Sequence, residues 1–170
     1  MLEDFNQLRL LAKQLVHTPF QEGWQFRLDI DDENAPSDLD IYVKDITFGP
    51  IEIETEAIKA GMQTLTFPTG TVPVGLSMTM RDNQDRRIYD WFTAWSKAMV
   101  NDDGTVNLPS EYVRKAERIN LATDEIQDTW FVFPTKLGDI TESVDSEGFL
   151  EFPISFIQFR SCIQFRSWGE

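Results

Sequence analysis

Alternating apolar and polar positions run through most of the chain and predict a mainly β structure. The clearest case begins at Trp24, from which every second residue is apolar as far as Ile30, as in a half-buried strand. The same reasoning predicts further strands at 39–48, 51–58, 62–67, 71–80, 118–121, 125–133 and 149–159. Since Pro68-Thr69-Gly70 is a turn signal, 51–80 is predicted to form one long projecting hairpin arm.

The first segment has helical rather than strand periodicity. Apolar residues recur every three or four positions over 2–16, and Thr18-Pro19 ends the helix because the residue before proline avoids helical geometry. This N-terminal helix either packs on its own domain or docks on a partner. The candidate partner contacts on it are Phe5, Leu8 and Leu15.

A second helix is predicted at 83–100, with Asp82 or Asn83 as its cap and Gly104 beyond its end. Its apolar face is predicted to cover the sheet, in preference to forming a ligand box. The residues of that face are Ile88, Trp91, Phe92, Trp95 and Met99.

The predicted strand at 51–58 carries an unusual charge pattern. Glu52, Glu54 and Glu56 alternate with apolar or small residues, so a strand would place them on one face. Three glutamates without an intervening lysine repel one another, whereas surface strands usually mix the two signs. The pattern predicts one apolar and one fully acidic face, and the acidic face is either simply solvated or functional.

Composition restricts the classes of function. The 170 residues include 15 Lys+Arg and 29 Asp+Glu, a net charge of -14, which argues against a protein that grips nucleic acid tightly. One histidine and one cysteine leave little for a zinc site, a disulfide or a catalytic triad. No phosphate-binding loop or hydrolase motif occurs. We therefore expect no enzyme activity and no cofactor.

The length suits a single domain over 1–170. No apolar run reaches about 18 residues and the start lacks the pattern of a signal peptide, so a soluble protein that begins in the cytoplasm is expected.

An acidic loop raises a rival hypothesis, a monomeric β-sandwich that binds calcium or another ligand. Its spacing of acids faintly resembles a calcium loop, but Asn34 stands where that loop needs glycine and Pro36 interrupts it. The acids concerned are Asp29, Asp31, Glu33 and Asp40.

The C-terminal segment contains a short repeat, Ile-Gln-Phe-Arg-Ser at 157–161 and again at 163–167. Its apolar residues have the opposite parity to those of 150–156. Either a bulge near Phe156 and Ile157 resets the face, or the region is buried on both sides. Arg160 and Arg166 are candidate contacts to a partner.

An ordered series of features resembles the tail tube proteins of contractile-tailed bacteriophages. The series is Ser77-Met-Thr-Met-Arg-Asp82, the helix with Ile88-Tyr-Asp-Trp-Phe-Thr-Ala-Trp95, then Pro109-Ser-Glu-Tyr112, then Phe133-Pro-Thr-Lys-Leu-Gly-Asp139 and the last strand. The fourth feature looks like the aromatic-Pro-Thr-x-x-Gly-acid turn of that family, formed here by Phe133, Pro134, Thr135, Gly138 and Asp139. The resemblance covers roughly residues 24–160.

The resemblance implies a β-sandwich or barrel-forming subunit with one flanking helix and a long hairpin arm, to which this chain adds the N-terminal helix predicted at 2–16. Six subunits would form a ring, and stacked rings a hollow tube that conducts DNA during ejection. The implied partners are further copies of the chain, tail sheath and baseplate proteins, and DNA as transient cargo, with no membrane. The implied location is the virion tail, assembled in the host cytoplasm.

The family places the hairpin in the inner wall of the tube, which makes Glu52, Glu54 and Glu56 the candidate residues facing the lumen. An acidic lumen would repel phosphates, so DNA would slide without binding. The helix at 2–16 and the extension at 160–170 lie outside the resemblance. Three alternatives stay open: a repeating tube subunit, an initiator ring that joins tube to baseplate, and a tube in a non-viral contractile system.

Overall fold

The computed structural model describes residues 2–145 and 147–160, with the backbone alone for residues 2–5. Within these residues the elements are α1 (Leu2–His17), β1 (Phe26–Ile30), α2 (Leu39–Tyr42), β2 (Val43–Phe48), β3 (Ile53–Ala60), β4 (Gln63–Thr71), β5 (Gly75–Arg81), α3 (Arg87–Met99), α4 (Pro109–Tyr112), β6 (Arg114–Asn120), β7 (Glu125–Leu137) and β8 (Glu151–Gln158). The expectation of a mainly β fold with helices is confirmed.

Six of the strands form one antiparallel sheet in the order β1-β6-β7-β8-β5-β2. β3 and β4 form a separate two-stranded sheet. Neighbouring strands run in opposite directions. In this order the start of β1, the end of β2 and the start of β5 therefore lie at the same end of the sheet. The N-terminal segment and the β3–β4 hairpin therefore leave the six-stranded sheet from the same end.

The core lies against one face of the six-stranded sheet, because alternate side chains of each strand point to it. β5 contributes Leu76, Met78 and Met80, and β8 contributes residues with the same alternation. Those residues of β8 are Phe152, Ile154 and Phe156, each at most 1% exposed. Full burial of one such side chain is worth about 1.5–3 kcal/mol, so these strands are held in place chiefly by their apolar faces.

The helix α3 packs on this core. Ile88, Trp91, Phe92 and Trp95 are buried and Met99 is half-buried. The ring of Trp95 lies 5.2 Å from that of Phe156, and its Nε1–H donates to the carbonyl of Tyr112 at 2.6 Å. Trp95 thus joins α3 to both the sheet and α4.

The carboxylate of Asp82 caps α3 from outside the helix. Arg86, directly before the helix, has a left-handed backbone (φ 56°), which turns the chain so that Asp82 accepts hydrogen bonds from the amides of Ile88 and Tyr89. Asn83 accepts from the amide of Arg87. The first amides of a helix have no acceptor inside it. Here the two predicted cap residues, Asp82 and Asn83, provide the acceptors for these three amides.

Asp82→Ala is expected to lower the free energy of unfolding by about 1–2 kcal/mol, because two helix amides lose their acceptor. Urea unfolding followed by circular dichroism measures this. Asp85→Ala, at an exposed position just before the helix, serves as the matched control. An equal loss in the two variants would contradict the capping role.

The single strand predicted at 39–48 is wrong in its first part. Residues 39–42 form α2, which brings Leu39 and Tyr42 into the core. A turn of helix places residues three apart on one side, whereas a strand would point these two in opposite directions. The strand begins only at Val43.

The turn predicted at 133–139 is also wrong in its first part. Phe133, Pro134 and Thr135 continue β7, and the register between β7 and β8 shifts between Pro134 and Lys136. A bulge tolerates proline inside a sheet because the ladder is already interrupted there. Phe133 is half-buried, Pro134 buried, and Thr135 exposed with its hydroxyl donating to the carbonyl of Ser155.

The segment stays beside β8 just beyond Leu137. The amide of Gly138 donates to the carbonyl of Pro153 at 2.7 Å, and a Cβ on Gly138 would lie 2.3 Å from Pro153 Cγ. Glycine is therefore required by close approach to β8. Asp139 is exposed.

The last described strand shows on which faces Phe156 and Ile157 lie. Pairing between β8 and β5 continues through Ile157 without a register shift. Ile157 is half-buried on the face opposite to Phe156, where it lies across from Phe133 on β7. The bulge is thus not found in the β5–β8 pair. The second copy of the repeat, with Arg166, lies outside the described residues.

Candidate functional site

The β3–β4 hairpin is the largest exposed feature of the described chain. Every residue from 49 to 70 is exposed, on both faces of the hairpin. The extensive contacts of each strand are with the other strand. The hairpin therefore projects from the six-stranded sheet and does not contribute to the core.

The turn of the hairpin lies at Gly61 and Met62, not at 68–70 as the sequence predicted. Gly61 has a φ of +67°, which glycine adopts without a steric penalty, and Ala60 pairs with Gln63 across the turn. Pro68 and Gly70 lie inside β4, opposite Thr55 and Glu54, with a register shift between them. Since β5 belongs to the other sheet, the projecting arm is 53–71, shorter than the predicted 51–80.

The register determines which side chains share a face. Residues directly opposite each other in an antiparallel pair lie on the same face. Glu56 is opposite Phe67, and Ile58 is opposite Leu65. We call this side the glutamate face, and its members are Glu54, Glu56, Ile58, Leu65 and Phe67; Glu52 lies just before β3.

The other side is nearly neutral. Thr55 is opposite Pro68, Ala57 opposite Thr66, and Lys59 opposite Thr64. We call it the threonine face, after Thr55, Thr64 and Thr66.

The predicted division into one apolar and one fully acidic face is thus wrong. The half of the glutamate face near the turn is apolar, with Ile58 49%, Leu65 57% and Phe67 39% exposed. The sequence prediction failed because it considered β3 alone, while Leu65 and Phe67 come from β4. The position of Gly61 was the signal that would have indicated the correct pairing. The assignment of Glu52, Glu54 and Glu56 to a lumen stays a prediction.

The helix α1 is the second exposed element. Its side chains are exposed from residue 6 to residue 17, and it makes no extensive contact with another described element. Leu8, Leu11 and Leu15 form an apolar stripe and are 64%, 60% and 65% exposed. The side chain of Phe5 lies outside the described residues.

A short linker fixes the base of α1 to the sheet. The side-chain amides of Gln21 and Gln127 exchange hydrogen bonds at 3.1 and 3.0 Å, and Leu121 donates its amide to the carbonyl of Gln25. The linker that follows α1 is therefore attached to the sheet beside the β6–β7 turn. Arg160, the other described candidate contact, is exposed at the end of the described chain.

The acidic loop at 31–40 is held by its own carboxylates. Asp32 accepts hydrogen bonds from the indole N–H of Trp91 at 2.9 Å and from the amide of Asn34 at 3.2 Å. Its side chain is 5% exposed and lies 3.7 Å from the guanidinium of Arg114. Asp32 was not among the candidate ligands, because its partners Trp91 and Arg114 come from other elements of the fold.

The carboxylate of Asp40 provides a hydrogen-bond acceptor at the edge of the sheet. Its Oδ1 accepts from the amide of Leu28 on the edge strand β1, and burial raises the pKa of Asp40. A cleft of about 510 Å³ between β1 and β2 is lined by Phe26, Leu28, Asp40 and Ile46, among others. Among the described residues, no group of three or more His, Cys, Asp or Glu side chains is placed to hold a metal ion.

Three strands are tied together by one charged cluster. Glu151 on β8 lies 2.6 Å from Lys44 Nζ on β2 and 3.0 Å from Arg81 Nε on β5. Hydrogen bonds from Lys44 and Arg81 lower the pKa of Glu151 below its usual value. Because both basic side chains are more than 40% exposed, each pair adds little to stability.

No helix of the described residues is long and apolar enough to cross a membrane.

The fold has counterparts among solved structures. A chain from the cryo-EM structure of an extracellular contractile injection system, the PVC sheath/tube terminator in the extended state, has a TM-score of 0.58 at 17% identity, covering 85% of this chain and 96% of that chain. A chain from the PVC sheath-tube complex in the extended state has a TM-score of 0.58 at 16% identity, covering 87% and 93%. A chain from the anti-feeding prophage cap, the AFP tube terminating cap, has a TM-score of 0.56 at 15% identity, covering 83% and 88%.

No protein-family model and no curated protein sequence matches the chain. At such low sequence identities the likeness establishes a common fold. This chain therefore has the fold found in tube, terminator and cap structures of contractile injection systems.

Proposed function

We propose that this chain is a structural subunit of the tube of a contractile, tail-like particle, and that its copies form a ring around a hollow axis. The observation that carries the proposal is the β3–β4 hairpin, a two-stranded sheet exposed on both faces and attached to a fold shared with tube and terminator chains. An isolated two-stranded hairpin is marginally stable in water, and three or more strands are needed for independent stability.

Association of copies would supply the missing strands. If the hairpins of neighbouring copies pair edge to edge around the axis, the backbone groups at their edges find partners, and a closed barrel has no edge that invites aggregation. The hairpin would then form part of the channel wall. Its exposure in a single chain is what such an assembly requires.

The finer features follow from the resemblance and belong to the proposal. They are six copies per ring, stacking onto further rings, contacts with sheath and baseplate proteins, and DNA as transient cargo in a virion tail. Two positions in a particle fit the chain, a repeating tube ring and a specialised ring at one end of the tube. Two of the similar structures are a terminator and a terminating cap, which supports the end ring.

The proposal is tested by concentrating the purified full chain and imaging it by negative-stain electron microscopy. We expect rings with a hollow centre and six-fold symmetry. Compact monomers at every concentration would count against the proposal. In a complete particle, the number of copies distinguishes the two positions, since an end ring needs six and a repeating tube needs many multiples of six.

A further inference from the structure

We propose that residues 161–170 of this chain add a seventh strand to its own six-stranded sheet. These residues lie outside the described residues, and the place they would fill is formed by the described ones. The inference does not depend on the proposed ring, because it concerns a contact within one chain. We call the place the edge slot, the gap between β1 and β2 that is lined by, among others, Phe26, Leu28, Ile46 and Phe48.

The six-stranded sheet is curled, so that its two edge strands face each other. β1 and β2 stand at opposite ends of the strand order, yet the ring of Phe48 on β2 lies 4.9 Å from that of Trp130 on β7. The guanidinium of Arg118 on β6 lies 5.2 Å from the centre of the Phe48 ring. Clefts of about 510 and 390 Å³, both lined by Phe26 and Ile46, separate the two edges. The curl thus brings two open edges together without closing them.

The backbone of β1 points into the edge slot at every second residue. The amide of Asp31 donates to the carbonyl of Lys115, which follows β1 pairing with β6. Successive residues of a strand direct their N–H and C=O groups to opposite sides, so the even-numbered residues of β1 point away from β6. Phe26 and Leu28 therefore direct their backbone groups into the slot. The amide of Leu28 has an acceptor there in Asp40.

The backbone of β2 points into the edge slot from the other side. The amide of Gln158 donates to the carbonyl of Val74, so the even-numbered residues of β5 bond to β8 and the odd-numbered residues face β2. Thr47 is opposite an odd-numbered residue of β5 and bonds to that strand. Its neighbours Ile46 and Phe48 therefore direct their N–H and C=O groups into the slot.

These edges define what can occupy the slot. A strand offers backbone groups on both of its sides and could pair with β1 and β2 at once. The side chains of Phe26, Ile46 and Phe48 lie on the core side and are half-buried, so the occupant must add apolar side chains at alternate positions. Among the described residues, the strands already have their places in the two sheets and α1 is helical.

The segment that follows β8 has the required pattern. Ile163 and Phe165 alternate with Cys162, Gln164 and Arg166, as the sequence repeat dictates. A strand would place the two apolar side chains on one face. The second copy of the repeat thus supplies the two apolar side chains that the open side of the core lacks.

The segment also starts at the correct end of the sheet. β8 runs antiparallel to β5, so Gln158 lies at the end where β1 begins and β2 ends. The edge slot is three strand spacings from β8, about 14 Å along the sheet. Phe159 is held by its amide to the carbonyl of Phe131, and the four residues from there to Ile163 can span about 14 Å. The chain's own segment can therefore reach the slot.

The direction of entry sets the register. A segment that enters from this end would run antiparallel to β2. Ile163 would lie beside Phe48 and Phe165 beside Ile46, with both apolar side chains turned to the core. The exposed apolar area that Phe48 and Ile46 leave at the slot would then be covered.

On the outer face the same register brings opposite charges together. Arg166 would lie opposite Asp45, which lines the slot. Lys44 also lines it, but its Nζ lies 2.6 Å from a carboxylate oxygen of Glu151. Residues 160–167 include two arginines and no acidic residue. Charge therefore favours this segment as the occupant.

A disulfide within one chain tests the register. Gln164→Cys and Thr47→Cys are combined in a Cys162→Ser background, which has no other cysteine. The two positions would form a non-hydrogen-bonded pair, whose Cα atoms lie about 4.5 Å apart and suit a disulfide. After mild oxidation we expect a monomer without free thiols, by mass spectrometry of the alkylated protein. Ser77→Cys, exposed on the strand next to Thr47, replaces Thr47→Cys in the matched control and should leave both thiols free.

Each outcome decides the inference. Free thiols in both proteins, or equal disulfide formation with Ser77→Cys, would overturn it, because the segment would then have no fixed place in the slot. A disulfide-linked dimer in place of the monomer would show that the segment fills the slot of another copy, which overturns the assignment to its own chain.

Hydrogen exchange provides a second measurement that introduces no cysteine. Ile163→Asp with Phe165→Asp should remove the segment from the slot, because two carboxylates would face the core. The amides of Phe26, Ile46 and Phe48 should then exchange about tenfold faster, as measured by NMR. Gln164→Asp, on the outer face of the same segment, should leave their exchange unchanged. Equal exchange in the natural chain and the double variant would contradict the pairing.

Discussion

Removal of the hairpin is expected to abolish ring formation and to leave the rest of the chain folded. Residues 53–71 would be replaced by a short Gly-Ser turn, which suffices because β2 and β5 are adjacent strands with Phe48 opposite Leu76. The hairpin makes no extensive contact with the core, so its loss removes little buried apolar surface. The midpoint temperature of unfolding should fall by only a few degrees, which is the shift that a loss of about 1 kcal/mol produces in a domain of this size.

Assembly of the shortened chain is measured by electron microscopy and sedimentation beside the natural chain. Met62→Ser, at the exposed turn, is the matched control because it leaves both faces of the hairpin intact; it should still form rings. Rings formed by the shortened chain would show that the hairpin does not build the wall. A large loss of stability would instead show that the hairpin packs on the body of the protein.

Replacement of Trp95 by alanine is expected to have the largest effect on stability. The indole packs against Phe156 and Trp91, and its N–H satisfies the carbonyl of Tyr112. Truncating a buried tryptophan costs about 3–5 kcal/mol. A whole domain is stable by only about 5–15 kcal/mol, so the variant should unfold at much lower urea concentration or fail to fold.

Lys97→Ala is the matched control, because it lies two residues away on the exposed side of the same helix. Its free energy of unfolding should change by less than about 0.5 kcal/mol. Trp95→Phe keeps most of the buried ring and should lose less than Trp95→Ala. Equal stability of the Trp95→Ala and Lys97→Ala variants would mean that α3 does not cover the core.

The sequence predicted those parts of the fold in which burial alone decides the structure. α3 was predicted because its aromatic residues recur at helical spacing, and the structure buries that face. The strand predicted from Trp24 to Ile30 is found at Phe26–Ile30, because alternation is the pattern that half-burial of a strand requires; Trp24 lies before the strand and is 66% exposed. In both cases a single element contains the whole signal.

Predictions failed where two elements together decide the structure. The Pro-Thr-Gly signal at 68–70 was outweighed by Gly61, whose tight turn sets a register that carries Pro68 along in β4. The helical turn at 39–42 exists because Leu39 and Tyr42 both reach the core, which depends on the position of neighbouring strands. A local pattern does not contain this information.

The candidate site was predicted in part for the same reason. The alternation of Glu52, Glu54 and Glu56 belongs to one strand and was evident in the sequence. Leu65 and Phe67 join that face through pairing alone, and they change it from an acidic wall into a surface that needs a cover. The amphipathic character of α1 was evident too. Its stripe is exposed in the structure, so packing on its own domain is not found among the described residues, and docking on a partner stays a prediction.

The position of the hairpin in an assembled particle tests the central claim most directly. A cryo-EM reconstruction of rings or tubes formed by the full chain should show the β3–β4 hairpins side by side around a hollow axis, as part of the channel wall. Hairpins on the outer rim, or an assembly without a channel, would contradict the account.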